Sequence, residues 1–350
     1  MRIHLILIGM LFSVFVSAQG IVTVNNNSDF SADYDDLQTA VDAVAEGTII
    51  LVSGSGTTYG SVVNIITINK QLAIYGPGYF LGANEEPWTQ AHPLSAQVAS
   101  IRFDAGSEGS LLAGVNVTST TYIQTSDITI KNSKLSSVSS QNSVLPTGIV
   151  FEGNYLTGGG AFSLSIGNGG ACVYRNNIII QSAGNLSFSG NVNSGTTIIE
   201  NNTLISGSSG NISLVAPNSI FRNNIFINTN SGGGIIISTS TNTIANNNMS
   251  TGTGIFDDFP NNLDNITPEE VFIDWESPSL YSPDYIYTLA ADSPAIAYGS
   301  DGQDAGAFGG DTPYRLSGIP EIPHIYFLDV PTTGTTTDGV QMHIKARANN

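Results

Sequence analysis

The sequence predicts an all-β chain wound as a right-handed parallel β-helix, a solenoid with an N-terminal capping helix and a C-terminal strand pair. Three observations predict it. A short phrase recurs six times, as Ile130-Lys-Asn-Ser-Lys-Leu135, Phe151-Glu-Gly-Asn-Tyr-Leu156, Tyr174-Arg-Asn-Asn-Ile-Ile179, Ile199-Glu-Asn-Asn-Thr-Leu204, Phe221-Arg-Asn-Asn-Ile-Phe226 and Ile244-Ala-Asn-Asn-Asn-Met249. The copies start 21, 23, 25, 22 and 23 residues apart, a period that one coil of a parallel solenoid occupies. An Asn-rich corner stands between apolar ends in nearly every copy, and Asn tolerates the left-handed backbone of a sharp bend.

Element by element, the chain opens with Met1-Arg-Ile-His4, an apolar run from Leu5 to Val16, and Ser17-Ala18. That order matches a secretory signal peptide over 1–18, so the mature protein is expected to start near Gln19 and to be exported to the periplasm, cell surface or medium. Tyr34 to Glu46 reads as an amphipathic helix, with Leu37, Ala40, Val41 and Val44 on one face and Gly47 as its stop. It is expected to cap the open end of a β-helix spanning 19–318. Strands are expected at 62–68 and 72–75, and an irregular excursion at 84–99. Coils then continue to about Gly254, followed by looser, larger coils. The tail, 319–350, holds two strand-like runs, 325–330 and 340–346. An isolated hairpin is marginal in water, so this one is expected to pack on the solenoid or to pair with another chain.

Stacking turns every repeat position into a ladder with roughly 4.8 Å between rungs. Ile130, Phe151, Tyr174, Ile199, Phe221 and Ile244 are expected to form one core wall; Leu135, Leu156, Ile179, Leu204, Phe226 and Met249 form another. The second position reads Lys131, Glu152, Arg175, Glu200, Arg222, Ala245. Its alternating signs predict an outward salt-bridge ladder, which helps to fix the register. Val150, Val173, Ile198 and Ile220 share that outward face, and the C-terminal hairpin is the expected cover for them.

The formal charge is −18, from 28 acidic and 10 basic residues. This argues against a nucleic-acid binder, which needs clustered Lys and Arg. Cys172 is the single cysteine, so no internal disulfide exists and the residue reads as a buried, inert thiol.

The chain resembles the pectin-lyase-like superfamily of secreted parallel β-helix proteins. The likeness covers about 34–310, on Leu37-Gln-Thr-Ala-Val-Asp-Ala-Val44, Gly47-Thr-Ile-Ile-Leu-Val52 and Tyr59, the Asn-cornered coils, and Ser293-Pro-Ala-Ile296 with Asp304-Ala-Gly-Ala-Phe308, which resembles a closing coil. The resemblance implies a fold far more than an activity, because its members include lyases, hydrolases, epimerases, esterases and non-enzymatic surface proteins.

For a lyase, the resemblance implies an Arg or Lys base and calcium held by clustered acids. Lys131, Arg175 and Arg222 are already explained as ladder members, and Lys134 is left over. For a glycosidase, Glu152 and Glu200 lie two coils apart, near the inverting carboxylate separation. Arg175 between them would keep both ionised. Of the hydrolase phrases only Asp257-Asp258 is present, and no Ser/Asp/His grouping stands out. Asp301 and Asp304, in Asp301-Gly-Gln-Asp304-Ala-Gly, are the candidate calcium ligands, with a plain solvated turn as the competing reading. The reading that follows is a secreted, non-enzymatic β-helix protein that binds extracellular polysaccharide or a cell-surface partner. The alternative is a polysaccharide lyase or glycoside hydrolase. Beyond that partner, no membrane span is expected, and oligomerisation through the hairpin is a further option.

Overall fold

A computed structural model describes residues 20–348 apart from 87, 141–145, 159–162, 165–170, 183–185, 190–194, 208–210, 216, 230–233, 238–241, 276–280, 335–336 and 338. The signal-peptide expectation for 1–18 lies outside the described residues. No helix among the described residues is long and apolar enough to cross a membrane.

Parallel pairing dominates, as the repeat requires. Two ten-strand sheets stack coil on coil, the second with Gln97–Val98 paired off its main path, and a four-strand parallel sheet joins them in the later coils. A coil of the regular region runs Cys172–Arg175 in the first sheet, a corner at Asn176-Asn177, then Ile178–Gln181 in the second sheet and Leu186–Ser189 in the third. The stack is in register: Phe151 pairs with Tyr174, Tyr174 with Ile199, and Ile199 with Phe221. These side chains are buried, and the Phe151 and Tyr174 rings stack at 5.3 Å. Each such residue contributes roughly 1.5–3 kcal/mol of transfer free energy. Cys172 lies in the same wall, and burial pushes its thiol up to about 11.

The sixth copy of the phrase is shifted by one residue from the expected register. Phe221 pairs with Ala245, and Arg222 with Asn246. Ala245 is therefore the buried core rung, while Ile244 faces outward and is 52% exposed. Likewise Met249 pairs with Ile225 rather than Phe226. The asparagines decide this: Asn248 must stack on Asn224, and the coil slides to let it.

The capping helix is shorter than expected, Leu37–Ala43, with the Asp36 carboxylate capping the Thr39 N–H. Val44 is already extended, and Gly47 takes its positive φ three residues later. Leu37, Ala40 and Val41 cover the solenoid end. The strand expected at 62–68 is only Ile66–Ile68, because Val62 and Val63 lie exposed in a turn.

The largest departure comes after Ser250. Asn262 adds one more rung, but the described residues of 264–318 form no further coil. They fold back as a strap along the outside of the second sheet. There Ile266, Val271, Phe272, Tyr287, Ala295, Ala305, Ala307 and Tyr314 bury a second apolar cluster with Tyr155, Ile178, Ile205, Ile225 and Met249. The Ser293–Phe308 phrase is thus part of the strap rather than a closing coil.

The C-terminal hairpin pairs His324–Asp329 antiparallel with His343–Arg347. It does not cover Val150, Val173, Ile198 and Ile220, which stay partly exposed. Instead it docks at the N-terminal end of the solenoid, on the 84–99 excursion. The Ala91 N–H donates to the Ile325 carbonyl at 3.0 Å, Lys345 meets Glu86 at 2.8 Å, and Arg347 lies over the Trp88 ring.

Candidate functional site

The two asparagines of each corner do different work. The inner one points into the coil stack. Asn177 donates from its backbone N–H and its Nδ2 to Asn202 Oδ1 (3.0 and 2.9 Å), and its Nδ2 also reaches back to the Phe151 carbonyl at 3.0 Å. The same pattern links Asn154, Asn177, Asn202, Asn224, Asn248 and Asn262. The inner asparagines thereby pair their own amides and the backbone groups they face at the bend.

The outer asparagine adopts the left-handed conformation, with φ between 45° and 57° at Asn132, Asn176, Asn201, Asn223 and Asn247; Gly153 fills this place in its coil with φ 64°. Its side chain points outward and holds the strap. Asn247 Nδ2 donates to the Tyr298 carbonyl at 2.9 Å, the Ser300 N–H donates to Asn223 Oδ1 at 2.9 Å, and Asn176 Nδ2 donates to the carbonyls of Ala307 (2.9 Å) and Gly309 (2.6 Å).

Between this strap and the charge ladder runs a polar groove. One lobe, about 160 Å³, is walled by Arg175, Glu200 and Arg222 on the ladder side and by Ser300, Asp301 and Asp311 on the strap side. The next lobe, about 350 Å³, continues past Glu152, Thr312, Arg315 and Glu321. The ladder has the expected sign pattern through Arg222: Lys131 Nζ meets Glu152 at 2.8 Å, Arg175 Nε meets it at 2.6 Å, and Arg222 Nε meets Glu200 at 2.7 Å. Arg175 bonds Glu152 rather than bridging the two glutamates, and Asn246, not Ala245, ends the column.

Burial alone would push the Glu152 carboxyl up, but the hydrogen bond from Lys131 and the charges of Lys131 and Arg175 hold it below the usual carboxylate range. A glycosidase acid needs the opposite shift. Asp284, in the strap itself, has a carboxyl raised by burial, yet it is sealed from solvent on the strap's inner side. It accepts from Ser282, from the Ser317 N–H at 2.8 Å and from Tyr314 Oη at 2.9 Å, and Tyr79 in turn donates to Tyr314 at 2.6 Å. That network locks the strap to the solenoid and to the excursion, whose Asn84 also bonds Ser282 and Ser317.

Asp301 and Asp304 each accept from a nearby backbone N–H. Asp301 Oδ1 accepts from the Gln303 N–H at 3.1 Å, while Asp304 Oδ1 accepts from the Ala297 N–H at 2.9 Å. Only Asp301 lines the groove. Among the described residues, no group of three or more His, Cys, Asp or Glu side chains is placed to hold a metal ion. Lys134 faces the strapped side, half-buried over the Phe80 ring at 5.7 Å, where burial lowers its pKa. Sequence reasoning missed Asp311, Thr312, Arg315 and Glu321, which sit in an aperiodic segment. Compared with known proteins, the chain matches no family model, no curated protein and no solved structure.

Proposed function

We propose that this is an exported, non-enzymatic β-solenoid that binds an extracellular polysaccharide, free or on a cell surface, in the groove between charge ladder and strap. One observation carries the reading: the groove repeats a charged side chain and an amide in each coil, Arg175-Asn176, Glu200-Asn201 and Arg222-Asn223. The rungs are about 4.8 Å apart, comparable to the length of one pyranose, so successive sugars would meet one charged side chain per coil, of alternating sign. Planar Arg and carboxylate side chains supply the paired donors and acceptors that vicinal hydroxyls require, beside amides that fix the groove wall by holding the strap. The mixed signs favour a neutral glycan over a polyanion. Titration of a glycan panel tests this: one neutral polysaccharide should bind, and Asp311→Ala with Arg222→Ala should abolish binding without unfolding. A panel with no binder, or a binder indifferent to both changes, removes the proposal.

The second reading is a polysaccharide lyase or glycosidase of the pectin-lyase-like superfamily. Its support is the parallel coil stack together with Arg315, a base placed in the groove off the charge ladder. Arg315 is engaged by Glu321 at 3.3 Å. Incubation with the same panel, scored for unsaturated or reducing products, separates the two readings.

A further inference from the structure

A cavity at the other end of the molecule has a different chemistry. It is a cleft of about 640 Å³ between the outer face of the first coils and the C-terminal hairpin, within the range of small-molecule sites. Leu51 and Tyr75 form one wall, and Ile325, Leu328 and Ala346 form the other. Strand alternation explains why the hairpin stands off. Lys345 and Arg347 fasten one of its faces to Glu86 and Trp88. Ile344 and Ala346 therefore fall on the opposite face, the one turned over the sheet. Ile325, Leu328 and Ile344 remain between 44% and 49% exposed, so the apolar walls face water rather than each other.

A second lobe of about 360 Å³ opens from the first and shares Ser53, Pro77, Gln90 and His92 with it, adding Asn25 and Phe30. This end offers hydroxyl, amide and imidazole groups. Gln90 Nε2 donates to the Pro77 carbonyl, which leaves its Oε1 to accept from a ligand. Although the chain holds 28 acidic and 10 basic residues, neither lobe is lined by Asp, Glu, Lys or Arg. An anionic head would meet no Lys or Arg there and a cationic head no carboxylate, and burying either unpaired is costly.

We infer that this two-lobed cleft binds an uncharged amphiphile, with its hydrocarbon body between Leu51, Tyr75 and Leu328 and its hydroxylated head at Ser53, Gln90 and His92. The hairpin is then a clamp whose apolar face is completed by the ligand. The site is separate from the glycan groove and does not depend on it.

Alkyl β-glucosides, used below their micelle concentrations on the full chain, provide the test. Octyl glucoside should bind saturably with Kd on the order of 0.1 mM or tighter, as about 20 heavy atoms of ordinary efficiency allow, and should raise Tm. Affinity should increase with each added methylene until the cleft is full. Glucose alone and octyl sulfate should bind at least tenfold more weakly. Ala346→Trp, or Leu51→Trp from the opposite wall, should fill the cleft and weaken octyl glucoside at least tenfold. Absence of saturable binding, an affinity independent of chain length, or octyl sulfate binding as well as the glucoside would each overturn the inference. So would folded filling variants that bind as wild type does. If neither variant folds, the chain-length series on the wild-type protein decides.

Discussion

The two large sheets of this solenoid are built from similar aliphatic strands yet meet solvent in opposite ways. On the first sheet, an outward column pairs Val150, Val173, Ile198, Ile220 and Ile244 in register. It carries no cover among the described residues. On the second, the outward residues Ile178, Ile225 and Ile227 are fully buried under the strap. Strand composition does not distinguish the faces. The corner does: the left-handed asparagine directs its amide toward the flank of the second sheet, where the strap's carbonyls and N–H groups wait. A covered face therefore needs two things together, apolar rungs to bury and a polar rail to hold the covering chain.

The comparison breaks most sharply at neighbouring strands. Ile225→Asp places an unpaired charge beneath the strap and should cost about 4 kcal/mol or more. Ile220→Asp, five residues earlier on the open face, should cost about 1 kcal/mol or less. Urea unfolding of both variants measures the difference, and equal losses would mean that the faces are equivalent.

The two asparagines of one corner sharpen it. Asn202→Ala removes the acceptor of two Asn177 donors and deletes an Nδ2 whose two N–H groups serve the Tyr174 and Glu200 carbonyls and Asn224 Oδ1. It should cost about 3 kcal/mol because buried partners are orphaned. Asn201→Gly keeps the backbone conformation, as Gly153 does one rung on from Asn132, and loses a bond to the strap carbonyl of Asp304 and a long one from Asn223, for about 1 kcal/mol or less. Thermal melts of the pair read the contrast.

The charge ladder should matter less again. Glu152→Gln leaves Lys131 and Arg175 without their shared anion and should cost about 1–2 kcal/mol near neutral pH. Because the folded-state pKa of Glu152 is depressed, its stabilisation is present above the ordinary carboxylate range and is lost as pH falls through the folded value. Chemical denaturation of wild type and variant should accordingly converge in acid. Asp284 carries the opposite sign. Its folded pKa is raised, so stability is full below the ordinary carboxylate range and declines as pH rises through the folded value. Asp284→Asn should therefore lose less stability than wild type as pH rises out of the ordinary carboxylate range, the smallest of these effects.

How much of this the sequence announces follows the same division. Periodicity made the coil, both core walls and the alternating charges legible, because stacking forces equivalent residues to repeat. It misplaced the last rung, since alignment on apolar Ile244 ignored the stronger constraint; aligning the final asparagine of each corner would have set Asn248 on Asn224. The strap was illegible for a physical reason. It runs along the stack instead of within it, so its contacts at Tyr298, Ala307 and Gly309 obey the coil spacing in space but no period in sequence. The groove inherits that split: Arg175, Glu200 and Arg222 were readable as a ladder, whereas Asp311 and Arg315 acquire a place only once the strap folds back.

Accessibility along the two outward columns tests the central claim most directly. In a Cys172→Ser background, cysteines placed singly at Ile198 and Ile178 should react very differently with a thiol reagent. Cysteine at position 198 should be modified readily in the native protein, and at position 178 only at the rate of strap opening, with the two becoming equal in denaturant. Equal native rates would contradict a solenoid that wears its own C-terminal chain on one face and leaves the other bare.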